Sequence, residues 1–250
     1  MSSSYSDGQI LDILKEAASA VADALGHLED WGPTGVVRGQ YRCDLAADQA
    51  AVSVIRRAGL GVVSEESGVH DPANPVVVVL DPVDGSTNAS QGIPWYATSL
   101  CAVDLEGLRA AVVVNQANGR VYEATRGGGA YRDGDPLKPS GKVRLGEAIV
   151  GFCGVPRSYF GWNQARVLGA AALDICAVAE GVLDAYVDAT GGSLAPWDYL
   201  GALLICREAG ALAAEASGRE LVTTEHSART GPIVAATPEL LAEITAAFAR

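Results

Sequence analysis

The chain has 250 residues, 49% of them hydrophobic, enough to fill the core of one large domain or two small ones. Its 18 basic and 30 acidic residues leave a formal net charge of -12. That balance argues against broad electrostatic binding to nucleic acid or to an anionic membrane, and a bound anion would need local help, such as a metal. Five scattered cysteines (Cys43, Cys101, Cys153, Cys176 and Cys206) lack a C-x-x-C spacing and cannot all pair within one chain, so reduced thiols are expected. The first eight residues are polar, without the basic and apolar segments of a secretory signal, and no apolar run approaches the ~20 residues that span a bilayer. A soluble, cytoplasmic protein is expected.

Ile10, Leu14, Ala17, Val21, Leu25 and Leu28 recur at steps of three and four, which predicts an amphipathic helix with Asp7 placed to cap its start. Gly32, Pro33 and Gly35 break it, and a second helix is expected over about 44–58. The pattern then turns β-rich. Strands are predicted at 75–80, 98–103 and 108–115, the last two joined by a hairpin turn at 104–107. Residues 120–124 and 148–152 read as further strands, and the triple glycine at 127–129 is a poor phosphate loop because no helix pattern follows it. Helices return at about 164–179, 197–209 and 238–249, with strands at 184–187 and 232–235. No repeat or linker divides the chain. The mixed order predicts α+β layers in a single domain over 1–250, with an N-terminal half to about residue 140 and a C-terminal half from about 145.

Residues 80–88, Leu80-Asp81-Pro82-Val83-Asp84-Gly85-Ser86-Thr87-Asn88, close an apolar strand with two acids. Pro82 fixes φ and Gly85 permits a sharp reversal, so the carboxylates of Asp81 and Asp84 can aim at one point. Two like charges held together raise each other's pKa unless a cation lies between them, and hard oxygen ligands suit magnesium. Ser86, Thr87 and Asn88 are helix-capping types, so Gly85 and Ser86 offer backbone N–H groups to a phosphate. A surface turn with a helix cap is the plain alternative for an isolated Asp-Gly pair.

The whole stretch resembles the first signature of the inositol monophosphatase family of metal-dependent phosphomonoesterases, Asp-Pro-hydrophobic-Asp-Gly-Thr/Ser-Thr-Asn. Ser64-Glu65-Glu66-Ser67-Gly68 is similar to the family's Gly-Glu-Glu-Ser segment, and Pro196-Trp197-Asp198 with Gly201-Ala202 to its second signature. Residues 169–174 and 181–187 resemble its substrate-side segments, so the likeness runs through nearly the whole chain. It implies a layered αβαβα sandwich of the sugar-phosphatase type, a homodimer and lithium sensitivity. It also implies a magnesium-dependent phosphomonoesterase acting on inositol monophosphate or a related small sugar or polyol phosphate, by in-line attack of metal-activated water.

Carried over by motif, Glu65, Asp81, Asp84, Asp198 and the backbone carbonyl of Val83 would hold two or three magnesium ions per subunit. Ser86, standing at the family's Thr, would orient the water, and Asp48 would help to activate it. Catalysis would thus involve Glu65, Asp48, Ser86 and Asp84, while Asp84, Gly85, Ser86, Thr87, Gly169, Ala171, Asp188 and Asp198 would meet the substrate. On local chemistry alone, Asp198 reads as an N-cap, Asp48 as an ordinary helix start and Glu66 as a bystander. Arg38 stands near a basic residue of the family, and a solvated surface arginine is its plain reading.

Two departures bear on specificity. Asp188 lies ten residues before Asp198, where inositol phosphatases commonly have a Glu seven before, and Leu200 is larger than the small residue usual there. Fructose-1,6-bisphosphatase, histidinol-phosphatase and 3'-phosphoadenosine 5'-phosphate nucleotidase therefore stay open, although residues 164–188 offer no base-stacking platform for a nucleotide. A regulatory binding protein that kept the pocket is the alternative from another class, and the four intact acids argue against it. His27, His70 and His226 show no mutual metal spacing, and neither a Gly-x-Ser-x-Gly setting nor a Cys–His neighbourhood supports covalent catalysis.

Overall fold

The computed structural model describes residues 5–36 and 39–248, so Arg38 lies outside the described residues. The first apolar stripe forms helix α1 (Asp7–Gly26), which buries Ile10, Leu14, Ala17, Val21 and Leu25. Its cap is Ser6 and not Asp7. Ser6 Oγ accepts from the Gln9 N–H at 3.3 Å while Gln9 Oε1 accepts from the Ser6 N–H at 2.9 Å, a reciprocal box that leaves Asp7 in the first turn. Helix α2 (Arg42–Arg57) lies beside α1, and both cover one face of the larger sheet.

That sheet holds β1 (Gly61–Ser64), β2 (Gly68–His70), β3 (Val77–Asp84), β4 (Ala97–Asp104), β5 (Gly107–Asn115), β6 (Arg120–Thr125), β7 (Gly129–Arg132) and β8 (Asp135–Pro136), in the order β2-β1-β3-β4-β5-β6-β7-β8. Strands β1 and β3 are parallel and the other neighbours antiparallel. Strand β3 is covered on both faces, which explains its unbroken apolar run. The triple glycine turns between β6 and β7, where the Gly127 and Gly129 N–H groups donate to the Glu208 carboxylate at 2.9 and 3.0 Å. After β3 comes a short helix, α3 (Ser86–Gln91).

The second sheet is formed by β9 (Ile149–Cys153), β10 (Gln164–Arg166), β11 (Ala185–Asp188), β12 (Leu212–Glu215) and β13 (Pro232–Ala235), in the order β10-β9-β11-β13-β12. Between the sheets lie α4 (Ala171–Ala179) and α5 (Pro196–Ala209), and α6 (Pro238–Phe248) packs on the outer side of the second sheet. All nine residues of α4 are buried, as a helix sandwiched between two sheets requires. The result is a layered α+β sandwich, in the sequence helices, sheet, helices, sheet, helix.

The helix expected over 164–179 is corrected. Residues Gln164–Arg166 pair in parallel with β9, Gly169 takes φ 89°, and the helix begins only at Ala171. An exposed edge strand carries no apolar alternation to announce it, and a left-handed glycine cannot sit inside a helix.

Gly201 lets α5 approach the first sheet. A Cβ there would lie 2.8 Å from Ser99 Oγ and 3.4 Å from the Leu100 carbonyl. Gly201→Ala is therefore expected to cost ~1–3 kcal/mol of unfolding free energy in urea titration; an unchanged midpoint would contradict this close packing.

Candidate active site

Parallel pairing of β1 and β3 sets Ser64 opposite Leu80, and the next N–H, that of Glu65, donates to the Leu80 carbonyl at 3.2 Å. Glu65 is thereby delivered beside Asp81. Further along β3 the register with β4 slips: Asp81 faces Ser99 and Asp84 faces Ala97, so Pro82 and Val83 together oppose Thr98. Pro82 has no N–H to give the ladder, and a bulge of this kind re-aims the side chains that flank it. Thr98 Oγ1 pins the Pro82 carbonyl at 2.8 Å.

Gly85 then takes φ 86°, and a Cβ there would lie 3.1 Å from the Gly169 carbonyl, the Trp95 carbonyl and Ala170 Cβ. Only glycine fits both the turn and the crowding. Asn88 Nδ2 donates to the carbonyls of Trp95 and Leu168, each at 2.8 Å, stitching α3 to the segment that leads into α4.

The middle-layer helices complete the site with their first turns. Asp84 accepts from the Ala171 N–H at 3.2 Å and the Ala172 N–H at 2.6 Å, both at the start of α4. Asp198, in the first turn of α5, accepts from the Ala195 N–H at 2.7 Å. Partial positive charge at these helix starts favours a carboxylate.

It does not neutralise the cluster. Burial, reinforced by Glu65, Asp84 and Asp198, pushes the Asp81 carboxyl well above the usual carboxylate range. Burial and the Asp198 charge push Glu65 up to about 8; Glu65 meets solvent as a residue, but its carboxyl is crowded by protein and by like charge. Asp84 is pushed up to about 8 by burial against the pull of its two amides, and Asp198 to about 7 by burial and by Asp84.

Asp81 is 1% exposed, and its Oδ1 has no hydrogen-bond partner. An orphaned carboxylate oxygen among mutually repelling acids, in an all-oxygen setting, fits a hard divalent cation. Among the described residues no three His, Cys, Asp or Glu side chains form a ready-made ligand shell, consistent with Asp84 and Asp198 being turned onto backbone amides.

Several of the expected residues have partners within the protein. Asp48 does not meet Ser86: it is buried and takes a hydrogen bond from Ser64 Oγ. The acid beside Ser86 is Asp44, whose Oδ2 also accepts from the Tyr41 N–H at 2.9 Å. Helix α2 starts two residues before the expected position, and its two acids part, Asp44 towards Tyr41 and Ser86 and Asp48 towards Ser64 of β1. Asp188 has Oδ1 on the Thr190 N–H and hydroxyl, at 2.9 and 2.5 Å, and Oδ2 on the Gly192 N–H at 3.0 Å. Its carboxylate is committed to shaping its own loop. The Ala171 N–H is taken by Asp84, and Thr87 Oγ1 lies 3.0 Å from Tyr41 Oη. Glu66 receives Gln40 Nε2 at 2.7 Å, which fits a bystander.

A cleft of about 150 Å³ opens beside the acids, with Asp84, Cys153, Gly169, Ala171, Asp174 and Asp198 among its lining. Asp174 lies in the substrate-side segment 169–174, where nothing in the sequence assigns it a role of its own. It is buried, accepts from Trp95 Nε1 at 2.8 Å, and is pushed up to about 7 by burial.

Known proteins bear out the resemblance. The model of the inositol monophosphatase family matches residues 13–250, and the chain belongs to that family of metal-dependent phosphoric monoester hydrolases. A fructose-1,6-bisphosphatase/inositol-1-monophosphatase of Archaeoglobus fulgidus is 36% identical over 183 residues, 71% of each chain. An inositol-1-monophosphatase of Mesorhizobium japonicum is 34% identical over 195 residues, 69% of this chain and 71% of that one. A solved structure from Pyrococcus horikoshii, described as a hypothetical protein with similarities to inositol-1 monophosphatase, superposes with a TM-score of 0.82 at 27% identity, covering 95% of this chain and 96% of that one.

The raised carboxyls give a pH signature. Their protons are held by the folded protein but released by the unfolded chain from about pH 4 upward, so folding is opposed as pH rises from there through about 8. The Tm of the ion-free protein should fall across that window, and less steeply in Asp81→Asn; parallel wild-type and variant profiles in a thermal scan would contradict it.

Proposed function

We propose that this phosphatase is magnesium-dependent and hydrolyses inositol monophosphate or a related small sugar or polyol phosphate. The observation that carries the reading is the buried Asp81, whose Oδ1 has no partner and whose carboxyl feels the charges of Glu65, Asp84 and Asp198. Those four side chains and the Val83 carbonyl would hold two or three ions per subunit. When bound there, magnesium supplies positive charge against the phosphoryl oxygens and makes a water more acidic.

The chain's own groups do the rest. The Ser86 hydroxyl orients the attacking water, and Asp44 takes its proton as the new P–O bond forms. The ester P–O bond breaks, and the departing alcohol oxygen takes a proton from solvent water. Burial pushes Asp44 up to about 7, with the Tyr41 amide and the Ser86 hydroxyl opposing, which suits a base working near neutral pH. The N–H groups of Gly85, Ser86 and Thr87, at the entry to α3 where intrahelical partners are lacking, face the phosphate. Gly169 and the first turn of α4 wall the alcohol side, where Asp84 and Asp198 are placed to accept its hydroxyls. Asp48 steadies Ser64 and so the end of β1.

The cleft, about 150 Å³, is small beside the ~300–1,000 Å³ of drug-sized sites, which favours a single-ring phosphate ester over a nucleotide. We read the chain as one domain, its halves about 1–140 and 145–250, because α4 and α5 fill the space between both sheets. Cytoplasmic location and a homodimer follow from the family likeness, and among the described residues no helix is long and apolar enough to cross a membrane.

Phosphate release from a panel of inositol 1-phosphate, fructose 1,6-bisphosphate, histidinol phosphate and 3'-phosphoadenosine 5'-phosphate tests the reading. Turnover should stop with EDTA, return with magnesium, be lost in Asp84→Asn and be fastest on a polyol or sugar ester; metal-independent turnover would overturn the reading. Within the same assay, Asp44→Asn should lose ~10²–10⁴ in kcat, while Asp48→Asn loses far less. The reverse order would return the role of base to Asp48.

A further inference from the structure

Glu65 and Asp198 come from opposite halves of the chain, and one loop ties them together. The segment after β12 carries His226, whose Nε2 lies 3.0 Å from the carbonyl of Ser64, the residue before Glu65. A carbonyl can only accept, so Nε2 bears the proton. The same imidazole packs on Trp197, the residue before Asp198, with ring centroids 4.7 Å apart and planes at 47°. Arg229 covers the Trp197 ring at 5.2 Å from its centroid. Its Nη1 donates to the carbonyls of His226 and Ala228 at 3.0 and 2.7 Å, which fixes both the guanidinium and the loop.

We propose that His226 is a positioning residue for the cation site, a clamp that sets the separation of Glu65 and Asp198 by gripping the neighbour of each. The inference rests on the reading that these acids hold magnesium. Three features support it. The contact bridges 162 residues and joins this loop to the end of β1. Trp197 is 4% exposed and begins α5 directly behind Pro196, so an imidazole lodged against it has little room to drift. Glu65 is otherwise held by its own N–H on the Leu80 carbonyl and through Ser64, which pairs with β2 and donates to Asp48, and these ties all lie within the first half. Groups behind a ligand that orient it commonly govern affinity for the ion.

The test is magnesium affinity by isothermal titration calorimetry of purified, EDTA-stripped wild-type protein and of His226→Ala, His226→Asn and His226→Gln, with Tm measured alongside. Gln carries an amide N–H near the reach of Nε2, and Asn falls short of it. The Kd for magnesium should weaken by ~10-fold or more in the Ala and Asn variants and return to within a few-fold of wild type in Gln, irrespective of how Tm ranks them. Wild-type affinity in the Ala or Asn variants, or a Gln variant as weak as Asn, would overturn the clamp while leaving the magnesium reading standing. Absence of magnesium binding by the wild type itself would overturn both. Should the Ala variant fail to fold, the contrast between Asn and Gln decides.

Discussion

Like charge held in a small, partly buried volume is the condition that the rest of this molecule answers. Glu65, Asp81, Asp84 and Asp198 oppose one another's ionisation, and each is brought in by a different backbone device. A parallel strand pair delivers Glu65, a bulge around Pro82 turns Asp81 and Asp84, and the first turn of α5 presents Asp198. Each device pins the main chain that carries its acid.

The protein offsets part of the repulsion without any ion. Two carboxylates rest on the N–H-rich starts of the middle-layer helices, where the helix dipole is favourable. Asp81 has no such relief. It sits deepest, at the end of a strand covered on both faces, and keeps one oxygen unpartnered. Burial therefore drives its carboxyl towards the neutral form, and a cation beside it would restore the charge.

The same helices link fold to function. Helix α4 is buried on every side because both sheets press on it, and α5 comes close to the first sheet through Gly201. Their starts therefore have little freedom, and so do the carboxylates resting on them. Asn88, Gly85 and the Trp95–Asp174 pair extend the constraint from α4 to α3, so the Gly85 turn and the start of α4 are held together.

Much of this was legible in the residues. Period-three-and-four apolar positions announced α1, β-branched runs announced β3 to β5, and the Asp81–Asn88 stretch announced the acid pair and its turn. Other features depend on long-range placement. That Asp44 and not Asp48 stands beside Ser86 depends on the helix starting at Arg42, a boundary that local capping chemistry does not fix. The hydrogen bonds that Asp188 makes to Thr190 and Gly192 depend on a loop turn that the residue pattern does not announce. Strand β10 is exposed and has no pattern of its own, and the grip of His226 on Ser64 joins residues that nothing in the sequence connects. The account stands or falls on whether a cation occupies the space beside Asp81. Anomalous diffraction from crystals soaked in Mn²⁺, a stand-in for magnesium, tests that directly: a peak within coordination distance of Asp81 Oδ1 and shared with Glu65, Asp84 or Asp198 is predicted, and a map without density there, from crystals whose occupied surface sites prove that the ion entered, would contradict it.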